Sequence, residues 1–336
     1  VPYVGEALPG GGYVAEVVTE ALRLQGYTVK LQFYPAARGL ALLRRGEVDG
    51  LLPASEADAA PEQGLRASDP FPGDTLGLLR KTTTVLPPGV APAGADLAAL
   101  LPALRQAGLR VGVVRGSTLE APDAVEAADT AADDLQNLDK LERDRVPLLL
   151  IDKYTAADLI TGRRPHLIGK LAFVPDAFQS RPFHVVFNTR TPAGRAQWSA
   201  FNAGLKQLRE GQGLARIQAR HGLQPPAPVA PGEKRLVIGT VNNADMLVMR
   251  QLASAYEAAH PKVKLHWRVM DEGTLRTRLL SDLAIGDGQF DVVTLGAYEV
   301  PLWARRGWLA PLPPLPARLV IMNRSAITPL CGLPIM

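Results

Sequence analysis

Between Tyr13 and Pro53 the hydrophobic period changes three times, and that succession confines the fold to a layered α/β architecture. Tyr13, Val14, Val17, Val18, Ala21 and Leu22 recur at helical spacing until Gly26 closes the run. Val29, Leu31 and Phe33 then alternate with Lys30 and Gln32, the pattern of a half-buried strand. A short helix from Leu40 to Arg45, stopped by Gly46, leads into Asp49 to Pro53, which reads as a buried strand. The residues after Val1 are already strand-like, so the opening is β-α-β-α-β and predicts a parallel sheet.

Pro, Gly and Ala crowd residues 85–97 and interrupt this pattern. It restarts with a strand from Leu109 to Val114, the turn Arg115 Gly116 Ser117 Thr118 and a polar helix. Further strands are expected at Leu148 to Ile151 and Phe183 to Phe187. An amphipathic helix around Ala193 to Leu208 carries Trp198, Phe201, Leu205 and Leu208 on one side. Four prolines in the nine residues Gln224 to Gly232 remove amide donors and favour an extended linker. Beyond it the pattern returns: strand Arg235 to Val241, helix Ala244 to Ala259, strand Val263 to Val269, helix Thr274 to Ala284, strand Phe290 to Leu295. The last residues, 316–336, lack periodicity and read as a tail.

Several function classes are excluded by what is missing. The net charge is +4, but Lys and Arg occur singly or as pairs such as Arg44 Arg45, with no basic run interleaved with aromatics, which argues against nucleic acid. No apolar run approaches the ~18 residues of a membrane span. One cysteine, Cys331, allows neither an intrachain disulfide nor a cysteine metal cluster. The five histidines have no metal-ligand spacing, and GxSxG, GxxxxGK[ST] and HExxH are absent. No cofactor and no metal are expected.

An ordered series of short motifs carries a family resemblance over residues 1–224. It comprises Pro2 Tyr3 Val4 Gly5, Gly12 Tyr13, Gly46 Glu47 Val48 Asp49 Gly50, Pro53 Ala54 Ser55, Ser68 Asp69 Pro70, Val111 Gly112 Val113 with Gly116 Ser117 Thr118, and the strand ending in Asp152. Together these resemble the family-3 extracellular solute-binding proteins of ABC importers. The resemblance implies a type II periplasmic-binding-protein fold, two α/β lobes joined by crossing hinge strands. Lobe 1 would take about 1–82 and 188–224, and lobe 2 about 108–184. It also implies ligand contacts from Tyr3, Tyr13, Arg38, Ser55, Gln63, Ser117, Thr118 and Asp152. Ser117 and Thr118 would open a helix whose free amides hold an anion, simple capping being the competing reading. Asp152 would grip an ammonium group, or cap the helix after it. Arg38 lies in a Tyr-Pro-x-x-Arg pattern of one subgroup, and Tyr3 and Tyr13 would form an aromatic wall or pack in the core. Where amino-acid binders place an Arg on the ligand carboxylate this sequence has Gln63, a neutral amide that cannot replace a guanidinium fork.

Residues 233–315 resemble a different group. Thr240 to Asp245, Gly288 to Val292, Gly296 to Pro301, Trp303 and Gly307 Trp308 Leu309 look like the beginning of the family-1 binding proteins for sorbitol, mannitol and related polyols. Asn243, Asp245, Tyr298 and Glu299 are the candidates for hydroxyl contacts there. The match stops before a complete pair of lobes, so an incomplete second α/β lobe is expected, as a fusion or the product of a frame shift. The expected role is capture of a small polar solute (amino acid, related amine or acid, or polyol) and its delivery to a membrane ABC permease. The chain would act as a periplasmic or extracellular monomer after loss of a signal segment, anchored or free. A dehydratase-like enzyme on the same fold and the ligand-sensing domain of a receptor are the alternatives.

Overall fold

A computed structural model describes residues 3–87, 97–115, 128–223 and 232–311. They fall into two compact units, Val1–Thr294 and Leu295–Met336. The first is mixed α/β and holds two sheets, one of seven strands and one of three.

The larger sheet is built around β6 (Leu148–Asp152), five residues that are all buried. It is flanked by β3 (Phe71–Lys81), antiparallel, and β4 (Val111–Val114), parallel, with β5 (Ala128–Ala131) parallel beyond β4. Strand β7 (Leu171–Asn188) is eighteen residues long and serves two groups of partners. Leu171 to Phe183 pair with β3, while the end pairs with β1 (Gly50–Ala54) and β2 (Leu65–Ala67), all antiparallel. One ribbon therefore links the two regions of the sheet.

Helices cover the strands by burying one face each. Helix α1 (Tyr13–Arg23) buries Tyr13, Val14, Val17, Val18 and Ala21 against α6 (Pro192–Glu210) and α7 (Gly213–His221). Between them α2 spans Ala36–Arg45, α3 Leu97–Gln106, α4 Asp134–Glu142 and α5 Lys153–Arg163. The start of α6 is set by Pro192 at its first turn and by the Thr191 hydroxyl, which accepts from the Gly194 amide at 3.0 Å. Gly204 lets α6 approach α1: a Cβ there would lie 1.9 Å from the Ala21 carbonyl oxygen. A second apolar core, with Leu76, Leu78, Leu104, Val111, Leu148 and Leu150, lies on the β3-β6-β4 strands.

After residue 231 the small sheet is parallel throughout, with β8 (Lys234–Val241) between β9 (Val263–Met270) and β10 (Val292–Val293). Helices α8 (Ala244–Ala259) and α9 (Glu272–Ile285) connect the strands, each capped at its start by Asn243 or Asp271. Helix α9 packs against α5, and the Gly169 amide donates to the Leu283 carbonyl at 3.2 Å. The second unit holds helix α10 (Val300–Arg305), with buried Trp303 edge-on to Trp308.

Two expectations are corrected. Residues 28–35 form no strand, and Phe33 and Tyr34 are 39% and 40% exposed. Alternation specifies a face but supplies no partner edge. The described residues hold no opening strand either: Tyr3 stands in a turn, its carbonyl accepting from the Val14 amide at 3.0 Å. The opening is thus not a parallel β-α-β-α-β sheet, since β1 pairs antiparallel with β7. Strand β3, by contrast, was not expected; its Pro72 and Gly73 mask the strand pattern of the leucines after them. The linker residues 224–231 and the tail 316–336 lie outside the described residues.

Candidate functional site

Asp152 is the point where three elements meet. It ends β6, and its carboxylate caps α5 by accepting from the Thr155 amide at 2.8 Å. The other oxygen accepts from the Thr75 amide of β3 at 2.9 Å and from the Tyr3 hydroxyl at 2.7 Å. Burial pushes the Asp152 carboxyl above the ordinary carboxylate range, and these hydrogen bonds work in the other direction. Burial, then the nearby Asp152 charge, drives the Tyr3 phenol upward, so it stays a donor. Asp134, at the start of α4, is raised to about 6 by burial and by the charges of Asp152 and Asp133.

Above this junction lies a cavity of about 500 Å³. One wall is the β3–β7 ribbon, where Asp74 pairs in register with Arg181. Arg181 Nε donates to Asp74 Oδ1 at 2.9 Å and a second bond joins Nη2 to Oδ2, a guanidinium fork. Burial opposes the Arg181 charge, but the Asp74 hydrogen bonds outweigh it and the pKa is raised. Lys153 and Tyr154, the first residues of α5, form the floor; Lys153 is ion-paired with Asp287 across to the small sheet. Tyr154 is pushed upward by burial and by Asp287 and Asp152, and stays protonated.

The remaining walls come from helices α6 and α7 and the small sheet. Arg209 of α6 reaches the Pro70 carbonyl, Gln218 comes from α7, and Leu223 lies just past its end. Arg235 and Arg268 extend from β8 and β9, with Gln289 beside them. The junction is held by Arg278 of α9, which donates to the carbonyls of Ala219 and Arg220 at 2.6 and 2.7 Å, the negative end of α7.

The residues singled out in the sequence are scattered over this frame. Tyr3 and Asp152 touch, and Tyr13 lines the cavity, its hydroxyl donating to the Pro72 carbonyl at 2.9 Å. Arg38, Ser55 and Gln63 are exposed and line none of it. Arg38 lies over the Tyr34 ring at 5.0 Å, Ser55 hydrogen-bonds Asp58 at 2.8 Å, and the Gln63 carbonyl accepts from Arg190 at 2.8 Å. Ser117 and Thr118 lie outside the described residues. Asn243 accepts from the Met246 amide at 2.9 Å as the cap of α8, and Asp245 is exposed in its first turn. Tyr298 is 70% exposed, and Glu299 sits half-buried at the head of α10.

Sequence reasoning missed Asp74, Arg181, Lys153 and Tyr154. Lys153 and Tyr154 follow Asp152 directly, so the strand-to-helix junction already pointed at them. Asp74 and Arg181 are 107 residues apart, and no local signal joins them. Among the described residues no group of three His, Cys, Asp or Glu side chains is placed to hold a metal ion, and no helix is long and apolar enough to cross a membrane.

Comparison with known proteins bears chiefly on the second part of the chain. A Pseudomonas aeruginosa mannitol-binding protein is 47% identical over 89 residues, 26% of this chain. The chain spans only about a fifth, 20%, of that relative's length. Among solved structures, the second substrate-binding domain of Lactococcus lactis GlnP is 14% identical with a TM-score of 0.43, covering 65% of this chain and 87% of that one. The GluR0 ligand-binding core in complex with L-glutamate is 18% identical with a TM-score of 0.48, covering 65% and 92%. A Streptococcus pneumoniae amino acid ABC transporter substrate-binding protein bound to L-arginine is 16% identical with a TM-score of 0.46, covering 66% and 90%. At these scores the likenesses carry no argument, and the architecture rests on the strand pairing described above. The sequence comparison is sharper: residues 241–320 match the family of bacterial extracellular solute-binding proteins.

Proposed function

We propose that the chain captures a small polar solute outside the cytoplasm and presents it to an ABC importer, without converting it chemically. The observation that carries this reading is the cavity of about 500 Å³ beside the paired strands β3 and β7, with paired charges and the Tyr154 ring on its walls. A solute-sized concavity with a few convergent polar groups on rigid strands is what a binding site requires. The family match of residues 241–320 supports the same role and a location beyond the cytoplasmic membrane. In this reading the segments about 1–82 with 188–224 and about 108–184 act as two lobes, and β3 and β7 are the hinge between them. Residues 233–315 contribute a partial lobe, and the protein works as a monomer.

Solute candidates follow from two directions. The resemblance of residues 1–224 suggests an amino acid or related amine or acid, and the mannitol-binding relative suggests a polyol. A thermal-shift screen of the whole chain against amino acids, amines, organic acids, sugars and polyols tests the reading. A ligand that binds only the folded state raises the melting temperature, by RT ln(1 + [L]/Kd) in free energy. A rise with one solute class, reduced by Arg181→Gln, supports capture. A cooperative melt unmoved by every class refutes it.

A further inference from the structure

We infer that the cavity selects a hydroxylated organic anion, a carboxylate or phosphate ester of sugar size, over neutral polyols and over amino acids. This rests on the solute-capture reading and names the class of solute. The cavity wall presents five cationic side chains (Lys153, Arg181, Arg209, Arg235 and Arg268) and two carboxylates, Asp74 and Asp287. Both carboxylates are already engaged by protein groups. Asp74 is forked by Arg181, and Asp287 takes Lys153 and, at 2.6 Å, the Gln289 amide. An ammonium group entering the cavity meets no carboxylate that is not already serving a cation, which argues against an amino acid.

Lys153 and Arg181 are the cations that hold those carboxylates, and Arg209 donates to the Pro70 carbonyl, so the case for an anion turns on Arg268. Arg268 spends one donor on Gln289 at 3.4 Å and lies over the Phe290 ring at 5.5 Å, and a guanidinium has five N–H donors. Arg209 and Arg268 reach the space from two different elements, α6 and β9, so positive charge enters it from more than one face. Near Arg268, Arg278 donates to the end of α7 and Asp282 accepts from the Gln289 amide, one charge of each sign outside the lining. Burial, and then repulsion from Arg235, lowers the Arg268 pKa; burial and Arg268 do the same to Arg278. A bound anion relieves that repulsion, whereas a neutral solute does not. Thr75, Ser180, Gln218 and Gln289 provide uncharged partners for hydroxyls, and the half-buried Tyr154 ring offers a face for a C–H surface.

The test is calorimetric titration and thermal shift on the whole chain at constant ionic strength. The probes are gluconate, glucose 6-phosphate, mannitol and L-arginine. Expected is binding of gluconate or glucose 6-phosphate with mannitol and L-arginine at least about tenfold weaker. Arg268→Gln should lower the anion's affinity by about tenfold or more, the worth of a charged hydrogen bond. The melting temperature of the unliganded variant should hold or rise, because a repulsive charge has been removed, and that separates lost binding from lost folding. Lys206→Gln, on the exposed face of α6, controls for net charge and leaves affinity unchanged. If mannitol or L-arginine binds and the anions do not, capture stands and the anion assignment falls. Unchanged anion affinity in Arg268→Gln also overturns it. If no probe and no other solute binds, both readings fall together.

Discussion

Removing the Asp152 carboxylate asks whether the contacts around it act as one unit. Asp152→Ala deletes the bonds from the Tyr3 hydroxyl and from the Thr75 and Thr155 amides at once. Tyr3 is 2% exposed, and leaving its hydroxyl without a partner costs about 1 to 3 kcal/mol. Loss of the α5 cap adds about 1 kcal/mol, and the Thr75 amide about 1 kcal/mol more. Relief of a carboxylate held in a buried site offsets part of this, so the net loss is about 3 kcal/mol. Tyr3→Phe alone leaves Asp152 its two amides and costs about 1 to 2 kcal/mol. In the Asp152→Ala background the same change removes a hydroxyl that has no partner, and it should be neutral or stabilising. The double-mutant cycle, read by urea denaturation at pH 7 with fluorescence and far-ultraviolet circular dichroism in agreement, should give a coupling of about 1 to 3 kcal/mol. Additivity within about 0.5 kcal/mol refutes the shared hub.

Other perturbations follow from the same structure. The Asp134 carboxyl is raised by burial from 3.8 to about 6, so the folded state binds more protons than the unfolded one between those values and stability rises as pH falls through about 6. Asp134→Asn should therefore raise stability at pH 7 by roughly 1 to 2 kcal/mol, after allowance for solvent screening, and most of the gain should be gone near pH 4; equal gains at both pH values in thermal melts count against this. Gly204→Ala forces a Cβ to within 1.9 Å of the Ala21 carbonyl, so α1 and α6 must separate at a cost of about 2 to 3 kcal/mol. A variant as stable as the parent in thermal melts contradicts that close approach. Lys153→Met leaves Asp287, 11% exposed in its side chain, without its cation and should destabilise by about 2 to 3 kcal/mol. Adding Asp287→Leu should recover most of the loss in melting temperature; no recovery argues that the ion pair does not join α5 to the small sheet.

Legibility in the sequence followed the range of the interaction concerned. Helices α1, α6, α8 and α9 stand within a few residues of their periodic patterns, because caps and apolar stripes act over one or two turns. Strand β6 was readable because five consecutive buried residues need no partner information to be recognised as interior. Residues 28–35 were read as a strand on alternation alone, and alternation is silent about whether a neighbouring edge exists. Of the cavity, Tyr13 was visible as part of a motif, while Asp74 was hidden in a strand that begins with Phe71, Pro72 and Gly73.

The sequence by itself determined the α/β class, the parallel strands after residue 231, the capped helices and the placement of Asp152 at a strand-to-helix junction. These depend on propensities and hydrophobic periods local to each segment. Only the tertiary structure decided that one eighteen-residue strand serves both regions of the large sheet, and that Arg181 meets Asp74 across it. It also decided that Arg235 and Arg268 share a cavity with Tyr13 and Lys153. Such meetings are set by strand register and helix packing between segments far apart in the chain. The charge and chemistry of that cavity belong to the assembled surface, and no single stretch of sequence contains them.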